Sequence, residues 1–144
     1  MGSRMDLISY AQNQEDVMLW RALQRVENGF YIDVGAAHPE DLSVTRLFYD
    51  HGWSGINLEP NNAYFAELQA HRGRDINLPV CATAEPGERV FHEIPGTGLS
   101  TLDTSVAEEH ARKGWELKER RVPGLTLAQI CEQYRPDGPI HFLK

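Results

Sequence analysis

The chain is poor in the features that mark several large protein classes. Its 144 residues contain no apolar run near the roughly 18 residues a membrane-spanning helix needs, so no membrane association is expected. The opening Met1-Gly2-Ser3-Arg4-Met5 has no apolar core of the kind a secretion signal carries and reads as a vector-derived leader, 1–5, before a natural start at Met5. Positive charge is scarce: 14 Lys and Arg stand against 21 Asp and Glu, a net charge of −7. That balance argues against a sequence-independent nucleic-acid binder, which needs a basic face to neutralise phosphates. The local concentration of Arg112, Lys113, Lys118, Arg120 and Arg121 is interleaved with Glu108, Glu109, Glu116 and Glu119 and reads as a solvated mixed face. There are only two cysteines, Cys81 and Cys131, both in apolar surroundings. Two free thiols in a reducing compartment, and hence a cytoplasmic location, are the expectation. The six histidines form no HxxxH or HxH pair, so no metal site is expected.

What is present is an ordinary globular composition, 41% apolar and 24% charged, with regular alternation of elements. Residues 14–26 carry Leu19, Leu23 and Val26 on one helical face and stop at Gly29. Phe30–Val34 is a short apolar strand with Asp33 near its end. Ser43 is placed to cap a helix bearing Val44, Leu47 and Phe48 that ends at Gly52. Gly55–Glu59 is a second strand, Asn61 caps a helix with Tyr64, Phe65 and Leu68 inward, and Ile76–Ala82 is a third strand. Strands linked by helices predict an α/β protein with a Rossmann-like, doubly wound, mainly parallel sheet. Beyond it the pattern turns β-rich near 89–122: a strand at Arg89–Ile94, a turn at Pro95–Gly98, a helix at Asp103–Lys113, and an exposed strand at Glu116–Val122 that can pair with Arg89–Ile94. Thr126 caps a helix with Leu127, Ile130, Cys131 and Tyr134 on one face, and Ile140–Leu143 opens a final apolar strand. A stop at Lys144, inside a strand, predicts that residues 6–144 are the N-terminal, cofactor-binding part of a longer domain. An exposed edge at Ile140–Leu143 would favour homo-oligomers.

The chemistry concentrates in Phe30-Tyr31-Ile32-Asp33-Val34-Gly35-Ala36-Ala37-His38-Pro39-Glu40. Ligands of open α/β sheets bind outside the carboxyl ends of the strands. Small residues there allow close backbone approach, and Gly35 can adopt backbone angles other residues avoid. Asp33 suits a ligand ammonium group. Glu59 ends the second strand 26 positions later, where a carboxylate can accept both hydroxyls of a ribose; its other reading is capping chemistry at the following helix. A dinucleotide needs G-x-G-x-x-G. Here the second and third glycines are missing, and Glu40 and Asp41 would face a pyrophosphate. S-adenosylmethionine carries no phosphate, so the acid-rich loop favours it over a nicotinamide cofactor.

Several blocks in order resemble the FkbM family of S-adenosylmethionine-dependent methyltransferases: Ser9–Asp16, Gly29–Ala36, Leu47–Pro60, Gly96–Leu102 and Ile140–Lys144. The resemblance covers nearly the whole chain after Met5. It implies a partial class I methyltransferase fold and transfer of a methyl group to a hydroxyl of a sugar or secondary metabolite, so a small-molecule or glycan acceptor is the expected partner. By the same resemblance Asp33, Gly35, Ala36 and Ala37 line the cofactor site, Glu59 holds the ribose with Pro60 and Asn61 beside it, and Gln12 and Asp16 lie close by. The Gln12–Asp16 block reads equally as an ordinary helix start with acidic residues favoured by the dipole. The family's acidic residue after the third strand is replaced at Ala84, leaving the Thr83 hydroxyl to reach the adenine edge. The family pattern also continues past Lys144 with a further acidic strand end.

The catalytic base is not identified by the sequence. His38, at the mouth of the loop, and His92 are candidates. Ser100 and Thr101 read either as contacts to acceptor or cofactor or as a plain turn. Two other functions stand beside methyl transfer: a non-catalytic assembly domain on a methyltransferase scaffold, suggested by Ala84, and a nicotinamide-dependent oxidoreductase, opposed by the glycine pattern.

Overall fold

Alternation along the first apolar strand, β1 (Phe30–Val34), determines how the protein is layered. Phe30 and Ile32 point to one side, where they pack with Ile56, Leu58, Val80 and Ile130. Tyr31 points to the other and joins Phe48 and Trp53. A strand apolar on both faces has to lie inside a sheet covered on both sides. The structure, a computed structural model, describes residues 6–144 apart from Gly96 and Gly98. The expected leader 1–5 and the two glycines of the 95–98 turn lie outside the described residues.

The elements follow the expected order. Helix α1 (Glu15–Leu23) precedes β1. Helix α2 (Arg46–Asp50) leads to β2 (Ser54–Leu58), and α3 (Asn62–His71) to β3 (Ile76–Leu78). After β4 (Cys81–Ala82) come β5 (Gly87–Glu93), α4 (Thr104–Arg112), β6 (Lys118–Leu125), α5 (Leu127–Tyr134) and β7 (Phe142–Leu143). The main sheet has the order β3-β2-β1-β7, and every pairing in it is parallel. The chain steps outward from β1 to β3 and then returns to the other side of β1. The order therefore reverses between β1 and β7, the switch point at which open α/β sheets form their ligand crevice. This is the Rossmann-like arrangement. Helix α5 covers one face through Ile130, Cys131 and Tyr134; α1 covers the other through Leu19, Trp20 and Leu23. Burial of each such aliphatic or aromatic side chain contributes about 1.5–3 kcal/mol.

Local chemistry accounts for the boundaries. Asn61 Oδ1 accepts from the backbone N–H groups of Ala63 and Tyr64, as its capping role predicts. Asp103 does the same for α4, and Thr126 with Gln129 forms a reciprocal capping box at α5. Helix α2 starts later than Ser43 suggested. Ser43 Oγ still accepts from Arg46 N at 3.2 Å, but the N-cap position is Thr45, whose hydroxyl turns inward to Asp33 and Arg72.

The expected single strand Ile76–Ala82 is divided. Pro79 has no N–H for a ladder and sits where β3 ends. Past Val80 the chain enters a second sheet, order β4-β6-β5. There β5 and β6 pair antiparallel from Gly87↔Gly124 to Glu93↔Lys118, the pairing expected between the two β-rich segments. Cys81 is buried and Cys131 half-buried, and both are free thiols. Among the described residues no helix is long and apolar enough to cross a membrane.

Candidate functional site

At the carboxyl end of β1 the chain leaves the sheet through two left-handed residues, Gly35 at φ 65° and Ala37 at φ 56°. Both Gly35 N and Ala36 N donate to Leu58 O, at 2.9 and 3.1 Å, so the loop is pinned to the end of β2. Ala37 N, held in an unusual conformation for a residue with a Cβ, donates to Glu59 Oε1 at 2.8 Å. The other oxygen, Glu59 Oε2, accepts from Asn61 N at 2.9 Å. The Glu59 carboxylate is thus held at both oxygens by backbone of its own and the neighbouring loop. It is only 6% exposed. Burial raises its pKa above the ordinary glutamate value, opposed by the hydrogen bonds from Asn61 and Ala37 and by the positive charge of Lys144.

These groups line a cleft of about 160 Å³, together with Gly35, Pro60, Tyr64, Phe91, Thr97 and Ser100. A second depression of about 390 Å³ shares Gly35, Pro60, Phe91 and Ser100 and runs along Leu58, Cys81, Ala82 and Thr101 to Asp103. A Cβ built on Gly35 would meet nothing within 4 Å, so the space over the loop is open. The second sheet closes the far side. Arg120 on β6 donates to Pro60 O, ion-pairs with Glu93 Oε2 at 3.3 Å, and lies 5.8 Å from the centre of the Phe91 ring. Ser100 Oγ accepts from Ile94 N at 2.9 Å, and Thr101 bridges to His92 through both backbone groups. Those contacts hold the 94–101 segment against β5.

A family profile, the Methyltransferase FkbM domain, matches residues 33–144. The chain belongs to the FkbM methyltransferase family. The resemblance drawn from separate blocks therefore holds over most of the chain, and methyl transfer is the family's activity. No curated protein and no solved structure matches the chain.

The FkbM fold brings Gly35, Ala37, Glu59, Pro60, Asn61 and Ser100 to one cleft. Ala36 is buried beneath it. Asp33 is beside it but committed elsewhere. It is 1% exposed; its Oδ2 accepts from Thr45 Oγ1 at 2.8 Å and its Oδ1 faces Lys144 Nζ at 3.2 Å. Thr83 does not line the cleft: its hydroxyl donates to Glu85 O at 2.7 Å. The Gln12–Asp16 block is also elsewhere. Asp16 is fully buried and accepts from Ser9 Oγ, Tyr10 N, Ala11 N and Val17 N, which organises the N-terminal segment over α1; Gln12 is exposed. Of the two readings of that block, the geometry matches the helix-start one.

His38 lines a separate polar depression with Pro39, Glu40, Arg46, Glu67 and His71. Its Nδ1 accepts from Glu40 N and Asp41 N at 3.1 and 2.9 Å, which occupies that lone pair and leaves only Nε2 to face outward. His92 is buried on β5, with Nδ1 3.7 Å from Glu119 Oε1. Neither histidine lines the cleft. The cleft residues that motif reading missed are Tyr64, Phe91 and Thr97. Tyr64 reads as an inward residue of its helix, and Phe91 falls inside the Arg89–Ile94 strand without any motif to single it out. Nothing in a single strand pattern says that a second sheet will fold back over the first.

Proposed function

We propose that this FkbM methyltransferase binds S-adenosylmethionine in the Gly35–Glu59 cleft and methylates a hydroxyl group of a small-molecule or glycan acceptor. The observation that carries this reading is the Glu59 carboxylate. Both of its oxygens are fixed by backbone N–H groups, and each keeps a lone pair to accept a hydroxyl of a ribose lying over Gly35. The residues present fit an adenosine ligand in other respects. Space over Gly35 is open, Phe91 and Tyr64 offer aromatic surface, and no basic side chain in the cleft lining calls for a phosphate. Bound S-adenosylmethionine would supply a methyl group on a sulfonium centre. The chain's part is to orient that group at the crevice between β1 and β7 and to keep water from it, and orientation supplies much of the rate of such a displacement. The net charge of −7 supports a neutral acceptor rather than a nucleic acid. Two free cysteines support a reducing, cytoplasmic setting.

Calorimetry with S-adenosylhomocysteine tests the reading. Binding is expected, with Glu59→Ala weakening it by about 3–6 kcal/mol, the worth of two hydrogen bonds to a charged acceptor. Binding of NADH in place of S-adenosylhomocysteine, or equal affinity in the variant, would overturn it.

A further inference from the structure

Strand β7 lies in parallel register with β1, Tyr31↔Phe142 and Ile32↔Leu143. Lys144 N donates to Ile32 O and Lys144 O accepts from Val34 N, both at 2.9 Å. The backbone of Lys144 is therefore fixed beside Asp33, and its side chain emerges at the switch-point crevice. Its Nζ lies 3.0 Å from Gly35 O and 3.4 Å from Val34 O. The same ammonium makes an ion contact with Asp33 Oδ1 at 3.2 Å, and that buried oxygen has no hydrogen bond of its own. Three acceptors thus converge on one ammonium, which is 36% exposed where Asp33 is 1% exposed.

Resting on the cofactor reading above, we propose that Lys144 is a positioning residue for the cleft. Its ammonium ties Asp33 to the carbonyls of Val34 and Gly35 and so holds the left-handed loop that aims Ala37 N at Glu59. It also sets a positive charge beside the acidic ends of β1 and β2. Geometry requires the first part. Gly35 and Ala37 both stand at positive φ; Gly35 N is taken up by Leu58 O, and the Gly35 carbonyl accepts from Lys144 Nζ. Charge supports the second. Lys144 favours the ionised form of Glu59, against burial and against the negative charge of Asp33. The other groups around Glu59 do not replace it. Cys81 on β4 is a neutral thiol, its pKa pushed up to about 11 by burial. Arg120 on β6 is engaged with Pro60 O and Glu93, and Tyr64 on α3 is uncharged.

The test uses Lys144→Gln, which keeps hydrogen-bond donors but no charge, and Lys144→Arg, which keeps the charge. One readout is the titration of the Glu59 side-chain carboxyl by carbon-13 NMR in ligand-free protein. The other is S-adenosylhomocysteine affinity against pH. In Lys144→Gln, Glu59 is expected to titrate at higher pH than in the parent. Affinity at neutral pH should fall roughly tenfold, the loss that goes with one charge-assisted contact, with the acid limb of binding displaced upward. Lys144→Arg should restore both. A Glu59 titration that is the same in Lys144→Gln and the parent would refute the proposal, whatever happens to thermal stability. A displaced titration in a protein that binds no S-adenosylhomocysteine would support the role of Lys144 and sink the cofactor reading instead.

Discussion

Replacing Arg72 by methionine should remove a large share of the stability of this fold. Arg72 is buried, and its guanidinium makes four hydrogen bonds. Nε donates to Asp75 Oδ2 at 3.0 Å and Nη1 to Pro39 O at 2.9 Å; Nη2 donates to Tyr31 OH at 2.9 Å and to Thr45 Oγ1 at 2.7 Å. Asp75 in turn accepts from Tyr31 OH, Asn57 Nδ2 and Gly55 N. Burial works against the Arg72 charge, yet Tyr31 and Asp75 outweigh it and raise the guanidinium above its ordinary value. Arg72→Met fills much of the volume but leaves the buried Asp75 carboxylate without its opposite charge. Breaking a buried ion pair from one side costs about 3–5 kcal/mol. Against a typical total of roughly 5–15 kcal/mol, that lowers the melting temperature by roughly 10–15 °C for a domain of this size. The double variant Arg72→Met/Asp75→Asn removes the stranded charge and should recover part of the loss, a coupling that a double-mutant cycle measures. Lys113–Glu109 is the control: at 2.8 Å it is the shorter ion pair, but its side chains are 60% and 58% exposed. Its removal should leave the melting temperature close to that of the parent, because solvent screens so exposed a pair. Calorimetric melting of the parent, Arg72→Met, Asp75→Asn, the double variant and the Lys113–Glu109 control decides the matter. A loss in Arg72→Met no larger than that of the surface pair would refute the claim that this buried network supports the β1 and β2 strand ends.

Two further outcomes follow from single residues. Gly55→Ala should destabilise the fold by about 2 kcal/mol or more through overpacking, because a Cβ there would lie 2.2 Å from Tyr31 Cδ2 and 2.3 Å from Tyr31 O; denaturant titration measures it, and a change within about 0.5 kcal/mol would contradict the register of β1 on β2. Acidification should have opposite effects on affinity and stability through Glu59. Its folded pKa stands above the ordinary 4.5, so the folded state takes up this proton before the unfolded state does. The burial penalty on the ionised form is in force above the folded value and gone below the unfolded one. As pH falls through that window Glu59 adds to stability, while ligand affinity declines because a protonated carboxyl has lost an acceptor. Affinity that holds constant down to pH 4.5 would count against Glu59 as the ribose contact.

Much of the site was legible because its geometry is local. A carboxylate at the end of β2 has an Asn cap two residues later, and parallel pairing of β1 with β2 brings the small-residue turn after β1 beside them. Asp33 shows where such reading stops. Its position at a strand end suggested a ligand's ammonium, yet the ammonium it faces belongs to Lys144, 111 residues later. Asp16 likewise has its partners within the chain, four donors from the preceding loop and its own helix. Thr83 turns to Glu85 because Pro79 breaks the third strand and sends the chain into a second sheet.

The sequence alone determined the element order, the helix caps at Asn61 and Thr126, and the family. These rest on periodicity, capping and turn chemistry, which act over a few residues. Only the tertiary structure decided which polar groups face the cleft and which face one another. Buried charges are satisfied largely by partners distant in sequence: Arg72 by Tyr31 and Thr45, and Asp33 by Thr45 and Lys144. No local pattern encodes those pairings, because they arise from the need to match every charge that folding removes from water.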